Sequence, residues 1–129
     1  MSAVEDPSYQ ISVQGSSLYV ADQSDPDRQR FVFAYTMIIR NEGSVGARLL
    51  SRHWIITDAD GGVQEVRGDG VVGERPFLRP GGEFRYTSGS LLTTPVGSMR
   101  GSYQMVAADG HRFEAQIPPM TLAVPGSLH

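Results

Sequence analysis

The chain has 129 residues, 40% apolar and 19% charged, with a formal net charge of -3, the composition of one globular domain able to bury a core. Weak acidity argues against general nucleic-acid binding, which leaves a basic footprint. All 11 basic residues are arginine and there is no cysteine, which excludes a Walker lysine, Schiff-base chemistry, disulfides and thiolate metal sites.

In chain order, "MSAVEDPSYQ" lacks the basic and apolar regions of a secretory signal. No run approaches the roughly 18 apolar residues of a membrane helix. The expected compartment is the cytoplasm, with no membrane insertion. Residues 1–129 read as a single domain, with residues 1–8 a flexible N-terminal segment. "YQISVQ" and "SLYVA" supply one or two strands, and "SDPDRQ", residues 24–29, a turn or brief helical loop.

"RFVFAYTMIIRNEG" alternates strictly: Phe31, Phe33, Tyr35, Met37 and Ile39 share one face and Val32, Ala34, Thr36 and Ile38 the other. Apolar on both sides at its C-terminal half, it reads as a central strand ending in an Asn41-Glu42-Gly43 turn. In "ARLLSRHWIITDADGG", Leu50, Trp54 and Ile56 share a face assigned to the interior, against Leu49, Ser51, His53 and Ile55. "DADGG" is a hairpin connection into "VQEV". "EFRYTSGSLL" sets Phe84 and Tyr86 at strand spacing. "GSYQMVAADGHRFEAQI" is a hairpin around Ala108-Asp109-Gly110, with Tyr103, Met105, Phe113, Ala115 and Ile117 in the core. Fifteen glycines and eight prolines punctuate these short strands. The expected fold is all-β, an antiparallel β-sandwich of the immunoglobulin or fibronectin type III kind.

One stretch raises a functional question. "VRGDGVVGERP" holds Gly68, Gly70 and Gly73 in the G-x-G-x-x-G spacing of dinucleotide sites. That reading needs a helix after the glycines, whose N-terminus supplies amide donors. Pro76, Pro80, Gly81 and Gly82 follow instead, which excludes a dinucleotide fold. Two readings stay open. The glycine loop could form a backbone nest for phosphate, with Arg67 and Arg75 adding bidentate contacts. Alternatively, the glycines only permit positive φ and close backbone approach. The Arg67-Gly68-Asp69 tripeptide is a chance occurrence.

Metal and catalytic chemistry find little support. His53, His111 and His129 are the only histidines, and no pair sits at ligand spacing. Asp58-Ala59-Asp60-Gly61-Gly62 lacks the downstream glutamate of a calcium loop and reads as an Asx turn. Ser88 and Ser90 lie outside any G-x-S-x-G elbow, and Asp25 and Asp27 belong to a turn beside Pro26. No catalytic residue, metal site or cofactor is expected.

Successive blocks, "SDPDRQRFVFAYTMIIRNEG", "LLSRHWIITDADG", "EVRGDGVVGERPFLRPGGEFRYTSG" and "TPVGSMRGSYQMVAADGHRFEAQIP", resemble the ApaG family, also called CorD, from about Tyr9 to His129. Arg75 departs from the glutamine that the resemblance leads one to expect. The resemblance implies a fibronectin-like sandwich, an association with cobalt resistance and magnesium efflux, and kinship with eukaryotic protein-interaction domains. It carries over no catalytic residue. The leading expectation is a non-catalytic module for a protein partner. It would use the loop of Arg67, Gly68, Gly70, Gly73 and Arg75 together with "SDPDRQ" and "TTPVGS". The alternative is a sensor that binds pyrophosphate or nucleotide, a phosphate-containing ligand, at the same loop. An exposed edge strand could pair two copies into a homodimer, but the sequence does not identify the edge.

Overall fold

Alternation of apolar and polar residues becomes eight antiparallel strands in the computed structural model, which describes residues 6–127. They are β1 (Ile11–Tyr19), β2 (Phe31–Asn41), β3 (Ala47–Asp58), β4 (Val63–Asp69), β5 (Phe77–Leu78), β6 (Glu83–Leu92), β7 (Val96–Ala107) and β8 (Arg112–Ala123). One sheet has the order β1-β2-β6. The larger has β4-β3-β7-β8, with the two-residue β5 also on β3. The amino end supplies one strand, and a short 3-10 turn, Pro7–Tyr9, precedes it. Residues 1–5 of the expected flexible segment, and His129, lie outside the described residues. No helix of the described residues is long and apolar enough to cross a membrane.

The inner faces meet in an aromatic core. Phe33, Met37 and Ile39 of β2 are fully buried, as their alternation predicts, and face Leu49, Trp54, Tyr103 and Met105 of the larger sheet. Tyr35 packs edge-on against Trp54 at 5.3 Å between ring centroids. Each such large side chain contributes about 2–3 kcal/mol of apolar burial. Asn41 is also buried, with every polar atom engaged: its amide donates to the carbonyls of Val45 and Leu78, and its oxygen accepts from the Gly43 N–H.

β3 departs from the expected facing at one position. Leu49 pairs with Met105, yet Ser51 pairs with Gln104, so a bulge at Leu50 inserts one residue and resets the alternation. Leu49 is fully buried and Leu50 only half-buried, whereas Trp54 and Ile56 point inward as expected. A second bulge, between Met99 and Gly101, sets Pro118 and Pro119 of β8 between ladder pairs.

Candidate binding face

The glycine stretch is half strand and half turn. Arg67, Gly68 and Asp69 belong to β4, with His53 opposite Arg67 and Arg52 opposite Gly68, rather than forming a loop with the later glycines. Gly68 gives room to a neighbour: a Cβ there would fall 2.8 Å from the guanidinium carbon of Arg52. That guanidinium donates to the carbonyls of Asp69 at 3.0 Å and Gly70 at 2.9 Å, locking the strand end.

Gly70, Val72 and Gly73 all have positive φ, at 62°, 44° and 81°. Val71 and Glu74 exchange both backbone hydrogen bonds across this two-residue turn, the pattern that primed hairpin turns require. Gly70 N–H donates to the Leu50 carbonyl. The amides of Gly70, Val71 and Glu74 are therefore already engaged by carbonyls of the chain. Arg75 turns back to Asp69, 3.2 Å away.

The other two loops named with this stretch are not beside it. "SDPDRQ" leads into the start of β2, where Phe31 pairs with Leu92, and "TTPVGS" follows Leu92. Ala59 N–H donates to Thr94 Oγ1, so that end also holds the Asp58–Gly62 hairpin. The glycine turn adjoins Leu50, at the opposite end of β3. About 27 Å of extended strand separates Leu50 from Asp58.

Register instead assembles a polar face on the outside of the larger sheet. Asp69, Ser51, Gln104 and Glu114 lie in one cross-strand row, and Arg67, His53, Ser102 and Gln116 in the next. Ser51 Oγ donates to Gln104 Oε1 at 2.8 Å, and Gln104 Nε2 donates to Ser102 Oγ at 2.9 Å, holding the middle of the face in place. His53 Nε2 is buried 3.6 Å from Glu65 Oε1, beyond hydrogen-bond reach. Two shallow clefts lie on this face and a third at its β8 margin. One of 480 Å³ is lined by Arg52, His53, Arg67 and Glu114, and one of 480 Å³ runs toward Arg100 and Pro118. A third, of 300 Å³, lies beside Tyr9, His111 and Phe113. Glu114 lines all three.

Arg67 and Gly68 thus belong to the lining of a cleft, while Gly70, Gly73 and Arg75 shape the turn beyond it. Ser51, Arg52, Ser102, Gln104, Glu114 and Gln116 were not singled out from the sequence. For all but Arg52, which shares its parity with Trp54 and Ile56, the signal was the polar half of the same alternation that marked the core. Asp58 accepts from the N–H groups of Asp60 and Gly62, the expected Asx turn. Among the described residues no group of three His, Cys, Asp or Glu side chains is placed to hold a metal ion.

These features define an antiparallel β-sandwich of the fibronectin type III class with an open polar face on its larger sheet. The chain belongs to the ApaG family: the family model described as the ApaG domain matches residues 21–107. It is 60% identical over 125 residues to Protein ApaG of Thiobacillus denitrificans, covering 97% of this chain and 98% of that one. Protein ApaG of Azotobacter vinelandii is 58% identical over 126 residues, covering 98% and 100%. The crystal structure of an ApaA protein from Bordetella pertussis superposes with a TM-score of 0.89 at 52% identity, covering 92% of this chain and 97% of that one.

Proposed function

We propose that this ApaG-family chain is a non-catalytic recognition module, working in the cytoplasm, whose ligand is another protein bound across the outer face of the larger sheet. The observation that carries the reading is the run of open clefts joined by Glu114, with arginines and carboxylates interleaved. Shallow, mixed-charge relief of this kind suits a polypeptide surface. Small-molecule sites are deeper and more apolar. The cysteine-free composition agrees with a reducing compartment.

The test is capture from native lysate on immobilised wild type, Glu114→Arg, and Arg85→Glu on the exposed face of the other sheet. Proteins retained by wild type and Arg85→Glu but lost by Glu114→Arg support the reading. Identical recovery on all three overturns it. Displacement of the captured protein by inorganic pyrophosphate or ATP, weakened by Arg67→Glu, would favour the phosphate-sensor alternative. Glu114 on β8 and Arg67 on β4 line opposite sides of one cleft, so the two variants change its charge from either side.

A further inference from the structure

β4 is the one strand of more than two residues with no buried position. It forms the margin of the larger sheet, and its backbone polarity follows from the bonds that bracket it. Asp58 N–H donates to the Gly62 carbonyl, and Gly70 N–H donates to the Leu50 carbonyl. In an antiparallel ladder the direction alternates residue by residue. Gln64, Val66 and Gly68 therefore bond to β3, while Val63, Glu65, Arg67 and Asp69 turn their N–H and C=O groups outward, the Asp69 carbonyl already accepting one bond from Arg52. The strand contains no proline or bulge, and its charged residues, Glu65, Arg67 and Asp69, are of both signs. The opposite margin, β8, has Pro118 and Pro119, and its Thr121 carbonyl accepts from Ser17 Oγ.

The side chains of β4 are complementary to their own reverse. Aligned antiparallel with itself about Val66, the strand sets Glu65 opposite Arg67, Arg67 opposite Glu65, Val63 opposite Asp69, and Val66 opposite Val66. This register also brings all four outward-facing residues into hydrogen-bonded pairs. Moving the axis to Glu65 or to Arg67 places like charges directly opposite, which is destabilising. Charge and backbone direction thus select the same alignment.

We infer that two copies of this chain join β4 to β4 in antiparallel register about a two-fold axis through Val66, making one continuous sheet eight strands across. The contact is isologous, as a closed dimer requires. It is also small, resting on one strand pair, so the dimer belongs to the weak class of interfaces and fills only at high concentration. Arg67 also lines the cleft of the partner reading, but self-association of the purified chain needs no other protein, so the two readings fail separately.

Sedimentation of the full chain from micromolar to millimolar concentration reads the association. The wild type shifts toward twice the monomer mass. Glu65→Arg and Arg67→Glu each weaken association by about tenfold or more. Mixing those two variants restores it, because each then meets its complement. All these positions are exposed, so circular dichroism stays at the wild-type spectrum. The cysteine-free chain allows a second measurement. Val66→Cys gives a single thiol at the two-fold axis, where opposed Cα atoms approach to about 4.5 Å, within disulfide range. It cross-links into dimers under mild oxidation well ahead of Val63→Cys. A wild type monomeric at millimolar concentration overturns the inference. So does a dimer indifferent to both charge reversals, or equal cross-linking at positions 63 and 66.

Discussion

The hydroxyls of Tyr86 and Tyr103 lie 2.6 Å apart, a hydrogen bond that ties β6 of one sheet to β7 of the other inside the core. Each phenol satisfies the other where water does not reach. Tyr86→Phe or Tyr103→Phe leaves a buried hydroxyl without its partner and costs about 1–3 kcal/mol. The double variant leaves none, so urea unfolding should show it losing less than the sum of the two single losses.

Burial pushes both phenol pKa values up; in Tyr103 the neighbouring Tyr86 adds to the rise, and in Tyr86 the hydrogen bond partly opposes it. A group whose folded pKa lies above its unfolded value contributes its stability below the unfolded value and loses it as pH climbs toward the folded one. The protein should therefore weaken steadily above about pH 10, the unfolded tyrosine value. Phenolate absorbance of these two residues should appear together with loss of near-ultraviolet circular dichroism. Ionisation of both in a still-folded protein would contradict the account.

The turn at Gly70–Glu74 makes opposite predictions for two of its residues. Gly70→Ala adds a Cβ against the Glu74 carbonyl at a φ of 62°, and should destabilise by about 1–3 kcal/mol. Val72 is a branched side chain held at φ 44° and half exposed to solvent. Val72→Asn relieves that strain at little loss of packing and should stabilise by about 1 kcal/mol. Thermal melts of the two variants should move to either side of the wild type.

At acid pH the N-terminal turn should come away from the β7–β8 hairpin. Tyr9 Oη donates to Asp109 Oδ2 at 2.6 Å, and the Tyr9 ring stacks on His111 at 4.1 Å. The Tyr9 hydrogen bond, then the His111 N–H, hold the Asp109 carboxyl below its ordinary 3.8. A depressed carboxyl contributes its stability above the ordinary value and loses it as pH falls through the folded value. Chemical shifts of Tyr9 and His111 should therefore change together below about pH 4. Asp109→Asn should remove that transition while leaving the core resonances unmoved.

The fold was legible because its long strands, β4 apart, bury one face each. Phe33, Tyr35, Met37 and Ile39 keep their alternation through β2, which has no bulge, and the turns at Asn41 and Asp58 use side chains that bond their own backbone. Leu50 was assigned to the wrong face because a bulge changes parity without leaving a mark in residue type. The candidate face was legible only in part. Arg67 and Gly68 stood out through glycine spacing, yet Gly68 accommodates Arg52, a neighbour visible only once β3 and β4 are paired. Glu114 and Gln104 join them through registers between strands far apart in sequence, which the period of a single strand does not encode.

Pro118 and Pro119 give the larger sheet two unlike margins. A strand arriving beside β8 meets two positions with no N–H to offer, and Ser17 already holds the carbonyl at Thr121. Sheet addition can therefore begin at β4 and stop there. In crowded solution the larger sheet should support no fibrous growth, its extension being blocked from the outset at one end.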